Sequence, residues 1–292
     1  MVVWASQVQS VTYMAPMDQS RWQVESSIFE CRLTHSIPYY GDAVFFQRAG
    51  ESQRFFLQEK TTRMQSGKAS LVSEKPLWKP RGQTSNFGLT PVWRGEKPLK
   101  LNAKMSKRVL AGLYQGMRMV VTRMPWYGAE TSMRVAMQPV NFRPAYREYL
   151  DCQTALLPVN FDQISRTAIY FPSGHDELAA KERRKLDNIV LYVKADPTVL
   201  GYVIDGHTDS IGARAENLAL SQQRAEMVAA YLTTRGVEAD KISIRWHGER
   251  YPVAGNRSRK GRGQNRRVTI RLDKGRSVVL PTAATQKIKT KS

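Results

Sequence analysis

The hydrophobic pattern of this 292-residue chain changes character once, across Leu156-Leu-Pro-Val-Asn-Phe-Asp162. Upstream, short apolar runs are broken by prolines at 76, 80, 91, 98, 125 and 139, as a turn-rich β protein requires. Downstream, strand-like runs alternate with helical ones. At roughly 100–200 residues per domain the chain has room for two cores. The expected organisation is an N-terminal arm over residues 1–17, a β-rich domain over 18–155, a connector over 156–163, a second domain over 164–273, and a basic flexible tail over 274–292.

In the first half, residues 43–47 and 54–58 flank Arg48-Ala-Gly-Glu-Ser52, a hairpin turn. Further strands are expected at 68–73, 117–123 and 133–138, with Tyr39, Tyr40, Phe45 and Phe46 as hairpin core. Met105, Val109, Leu110 and Leu113 recur at helical spacing after Asn102, and a second short helix fits 144–151. The fold class is mostly antiparallel β with one or two helices. In the second half, strands are expected at 167–171, 199–204, 241–246 and 267–272. One helix opens at Asp176 or Glu177, and a long one over 215–235 is stopped by Gly236. That alternation defines an α+β sandwich with helices on one face.

Forty-five Lys and Arg against 25 Asp and Glu give a net charge of +20, which calls for anionic surroundings: DNA, RNA, anionic lipid or cell-wall polymer. No run of eighteen apolar residues exists to form a transmembrane helix. Cys31 and Cys152 lie 121 positions apart, with no CxxC and no nearby His pair, which excludes zinc ribbons, zinc fingers and thioredoxin-like motifs. Two buried thiols and one disulfide in an oxidising compartment both remain open. Met1-Val-Val-Trp-Ala-Ser6 is similar to the last residues of a secretory signal, as a remnant or an expression start.

The informative segment is Gly206-His-Thr-Asp209-Ser-Ile-Gly212, followed by Asn217-Leu-Ala-Leu-Ser221-Gln-Gln-Arg224-Ala225. A strand ending at Asp205 delivers Thr208 and Asp209 into a loop, while Asn217, Ser221 and Arg224 share one helix face. Leu218, Ala225, Val228, Ala229 and Leu232 are expected to supply the adjoining core face. A carboxylate and a guanidinium then flank one pocket, suited to a zwitterion that offers an ammonium to one and a carboxylate to the other. A plain Asp209–Arg224 salt bridge satisfies the same spacing.

These motifs, with Trp246-His-Gly-Glu249 and Gly263-Gln-Asn265-Arg-Arg267, resemble the OmpA-like peptidoglycan-binding domain over about residues 164–273. The resemblance implies that Asp209 and Arg224 hold the meso-diaminopimelate side chain of the wall's stem peptide. Thr208 and Asn217 would line that pocket, with one or both of Arg266 and Arg267 supporting it. The chain departs from the family at Phe171-Pro172-Ser173-Gly174, where a carboxylate often follows the Phe, and this implies a weaker grip. The stretch Cys31-Arg-Leu-Thr-His-Ser-Ile-Pro-Tyr-Tyr-Gly-Asp-Ala-Val-Phe-Phe-Gln-Arg-Ala-Gly50 resembles the N-terminal domain of the MotY family of sodium-driven flagellar motor proteins. That resemblance implies a periplasmic T-ring component of the flagellum that joins MotX and the basal body and helps place stator units. It also implies a Cys31–Cys152 disulfide.

His207, beside Asp205 and Asp209, invites an acid–base or metal reading, but no second His stands at ligand spacing, and a turn-shaping role is the simpler one. No nucleophile elbow, paired-carboxylate cleft or zinc cluster marks an enzyme, and no cofactor motif is present. The basic run from Arg257 to Arg267 lacks interleaved aromatics, so a solvated loop facing anionic polymer is expected in place of a nucleic-acid patch.

Overall fold

The computed structural model describes residues 10–275 except 77, 80 and 128–131. The expectations for the signal-like residues 1–6 and for the tail beyond 275 lie outside the described residues. The chain divides into two compact units that meet between Pro158 and Val159.

The first unit is built on β1 (Ser10–Met14), β2 (Trp22–Ser26), β3 (Glu30–Ile37), β4 (Gly41–Arg48), β5 (Arg54–Glu59), β6 (Gly67–Glu74), β7 (Ser85–Val92) and β8 (Leu99–Leu101). Then come α1 (Ala103–Tyr114), β9 (Arg118–Arg123), β10 (Ser132–Met137) and α2 (Phe142–Ala155). One ten-stranded sheet runs β1-β10-β9-β6-β7-β8-β5-β4-β3-β2, antiparallel except for the β1–β10 pair. The two ends of the sheet curl toward each other. Trp22 Nε1 on β2 donates to the Gln138 carbonyl just past β10 (2.9 Å), and Gln138 N donates to His35 Nε2 on β3 (3.4 Å). His35 Nδ1 lies 2.9 Å from the Arg21 carbonyl, so this buried ring fits the neutral Nδ1–H tautomer, and burial lowers its pKa.

The strand pattern explains the core. Along β3, Cys31, Leu33, His35 and Ile37 alternate inward, and Leu33 faces Phe45 across the β3–β4 ladder. Tyr40 and Phe45 are fully buried as expected, whereas Tyr39 is a correction: it sits in the turn at φ 63° and is 88% exposed. Asn102 Oδ1 accepts from Met105 N (3.0 Å) and starts α1. The second helix proves longer than expected, running from Phe142 to Ala155, and buries Phe142, Ala145, Tyr149 and Cys152 along one stripe. Cys152 is disulfide-bonded to Cys31, which ties α2 to β3 and closes a 121-residue span.

The second unit contains α3 (Phe161–Ile164), β11 (Arg166–Tyr170), α4 (Ala180–Ala195), β12 (Val199–Gly206), α5 (Arg214–Thr233), β13 (Ile242–Trp246), α6 (Arg259–Asn265) and β14 (Arg267–Lys274). Its sheet has the order β11-β14-β12-β13, with β12 and β13 parallel and the other pairs antiparallel. Leu186, Ile189 and Val190 of α4 and Ala225, Val228 and Leu232 of α5 bury against it. The α+β sandwich is therefore present. Leu218, expected in the core, is instead 38% exposed at the start of α5.

The end of β12 lies against α5 with no space to spare. A Cβ built on Gly206 would come within 2.0 Å of the Ser221 carbonyl oxygen. Gly206→Ala should therefore destabilise the second unit by about 1–3 kcal/mol, visible as a lower urea midpoint at unchanged slope.

Candidate functional site

The GHTD loop is pinned on both sides by backbone. His207 N donates to the Arg267 carbonyl (2.9 Å), Thr208 N to the Gly248 carbonyl (2.9 Å), and His247 N to the Gly206 carbonyl (3.0 Å). Helix α5 is locked to the same place, because Ser221 Oγ accepts from Gly248 N (3.0 Å) while donating to the Leu218 carbonyl (2.7 Å). Asn217 Nδ2 donates to Glu249 Oε2 (2.9 Å). Thr208 and Asp209 thus stand at the carboxyl end of β12, opposite the buried Asn217–Ser221–Arg224 face of α5.

A cleft of about 270 Å³ lies between them, lined among others by Ser173, Thr208, Asp209, Asn217, Arg224 and Arg266. Asp209 does not take Arg224 as its ion-pair partner. Its Oδ2 accepts from Arg266 Nη1 (2.8 Å) and its Oδ1 from Ile211 N (3.1 Å). Arg266 also donates Nε to the Phe171 carbonyl (3.2 Å). Arg224, with no solvent exposure at all, donates to the Pro172 carbonyl (3.1 Å) and twice to that of His175 (3.0 and 2.7 Å). Its guanidinium lies 5.1 Å from the Phe171 ring centre. Burial, and then the neighbouring Arg266, lower its pKa to about 10, so it stays cationic near neutrality. Two buried polar atoms here have no partner: Arg224 Nη1 and Thr208 Oγ1. Such orphans are costly unless something supplies an acceptor.

Five of the six expected site residues, Thr208, Asp209, Asn217, Arg224 and Arg266, line this cleft, with Arg266 in a larger role than assigned. Arg267 points elsewhere than its neighbour: its Nη2 donates to the Tyr251 carbonyl (3.1 Å), which braces the start of β14, and it does not line the cleft. The helix expected from Asp176 or Glu177 begins only at Ala180, because the preceding loop turns the Pro172 and His175 carbonyls toward Arg224. The basic run, expected as a loop, contains α6, capped by Ser258 Oγ accepting from Gly261 N (3.0 Å). Sequence reasoning missed Asn265. Buried at the end of α6, it accepts from Val253 N (2.8 Å) and Ala254 N (3.1 Å) and donates to the Ala254 carbonyl (2.8 Å).

His207 is packed beneath the site, its ring stacked on His247 at 5.1 Å between centres. Burial, aided by Arg267 and His247, pushes its pKa down to about 4. A buried neutral His loses stability as the unfolded chain takes up protons, starting below about pH 6.5 and continuing through the folded pKa. Removing it with His207→Gln should flatten acid destabilisation between those limits by about 3 kcal/mol, read from urea midpoints across the pH range.

Residues 170–266 match the family model described as the OmpA family, which places the second unit in the class of OmpA-like domains. Residues 13–158 match the MotY N-terminal domain model. Over 283 residues the chain is 30% identical to the sodium-type flagellar protein MotY of Vibrio parahaemolyticus, covering 91% of each. The chain belongs to the MotY family. It is also 38% identical over 104 residues to the probable lipoprotein YiaD of Escherichia coli, which covers 36% of this chain and 47% of that one. A solved structure of the peptidoglycan-associated lipoprotein of Burkholderia pseudomallei aligns with 36% of this chain and 89% of its own, at 29% identity and a TM-score of 0.35.

Proposed function

We propose that this chain is a non-enzymatic periplasmic component of the flagellar motor, whose residues 164–273 grip peptidoglycan and whose first unit docks to the basal body and MotX. The observation that carries the wall-binding half is the pair of orphaned buried donors, Arg224 Nη1 and Thr208 Oγ1, beside the Asp209 carboxylate. A diaminopimelate side chain answers both needs. Its carboxylate accepts from Arg224 and Thr208, and its ammonium shares Asp209 with Arg266. Wall contact then holds the ring against torque while stator units assemble, a multivalent anchor in which many modest contacts act together. The +20 charge speeds encounter with an anionic wall and leaves recognition to the pocket.

Co-sedimentation with purified sacculi tests this. Thr208→Val removes an orphaned hydroxyl, so the folded protein should lose no stability while its retention on sacculi falls. Asp209→Ala should fall further. Retention equal to wild type in both variants overturns the reading, as does preference for duplex DNA over sacculi.

A further inference from the structure

The first unit carries a trough that the wall-binding reading does not use. A cavity of about 660 Å³ between α1, the start of β7 and the segment before it runs into a second of about 470 Å³ at the start of α2. Both are lined by Lys79, Gln115 and Arg143. Lys79, Arg81, Arg108 and Arg143 supply cations, and no carboxylate stands among the described lining residues. On the neighbouring strands the situation differs, since Arg118 and Arg134 share an ion pair with Glu74.

The trough's cations are held in place by other means. Arg108 lies over the Phe87 ring at 4.3 Å and Arg143 over Tyr114 at 5.2 Å, with Arg143 Nε donating to the Tyr114 carbonyl (3.0 Å). Lys79 Nζ donates to the Gln115 carbonyl (2.6 Å). A guanidinium stacked on an aromatic ring keeps its fork of donors in one orientation, which suits bidentate capture of carboxylates. The same stacking occupies the Phe87 and Tyr114 rings. Apolar surface lies alongside, with Trp78 47% exposed and Phe87 half-buried. A cationic trough with apolar patches complements a chain that alternates carboxylates with apolar side chains.

We infer that this trough is a docking site for an acidic, apolar-interleaved polypeptide segment of a partner protein. The inference rests on the docking half of the function proposed above and gives that partner its chemistry.

Fluorescence anisotropy with a labelled synthetic peptide alternating Glu and Leu tests it on the full chain. The acidic peptide should bind, its Gln–Leu counterpart should not, and Arg108→Gln with Arg143→Gln should weaken binding at least about tenfold. Both arginines are exposed, so the double variant should keep the wild-type melting temperature. Arg81→Gln, at an exposed cation of the same trough, is the second variant and should weaken binding in the same direction. Failure of the acidic peptide to bind, equal binding by all variants, or tighter binding of purified glycan strands or duplex DNA overturns the inference. Sacculus binding and motor localisation can survive that failure, so the two readings fall separately.

Discussion

Replacing both Cys31 and Cys152 by Ala is expected to lower the thermal midpoint of the first unit by roughly 10–15 °C. The bond closes a span of 121 residues that includes most of the unit's strands. In the chain-entropy account, a loop of that size stabilises by about 4–5 kcal/mol through the unfolded state. It also fixes α2, whose buried stripe of Phe142, Tyr149 and Cys152 covers the sheet beside Trp22. Calorimetry of wild type with and without reductant, beside the double variant, measures the effect. A first-unit midpoint unmoved by either treatment contradicts it. The second unit holds neither cysteine, so its transition should stay in place under both treatments.

Arg224→Lys is expected to lower affinity for sacculi by about 10–100-fold. Lysine keeps the charge but has no planar fork, so it cannot both hold the Pro172 and His175 carbonyls and offer a donor to a ligand. Asp209→Asn should weaken binding comparably through a different route. It leaves the Arg266 guanidinium without its anionic partner and should also destabilise the second unit by about 1–3 kcal/mol. Melting curves taken beside the binding assay separate the two effects. Wild-type affinity in the well-folded Arg224→Lys protein contradicts the role assigned to its fork.

Much of this architecture is legible in the residues, and the gaps have physical causes. Strands β4, β5 and β9 are visible as short apolar or aromatic runs. Strand β3 is harder to read because its inward positions include His35, a polar side chain whose partners are Arg21 and Gln138 far away in sequence. Strand β7, SNFGLTPV, carries Gly and Pro and leaves Leu89 68% exposed, so local propensity speaks against it. Helix α6 buries only Gly261 and Asn265, so no apolar period marks it.

At the site, spacing along α5 correctly put Asn217, Ser221 and Arg224 on one buried face. The ion pairing was not readable from spacing, because Arg266 reaches Asp209 from the segment before β14, 57 positions on. Arg266 thus pairs with the one carboxylate while Arg224 stands in the same cleft, and the ligand proposed above brings a second negative group to it.

Titration calorimetry with soluble stem peptides tests that requirement most directly. One peptide carries meso-diaminopimelate, and the other carries Lys, which keeps the side-chain ammonium but lacks the terminal carboxylate. Arg224 Nη1 and Thr208 Oγ1 should make the diaminopimelate peptide bind at least about tenfold more tightly. Equal affinities, or tighter binding of the Lys peptide, would contradict a pocket built to read a zwitterion.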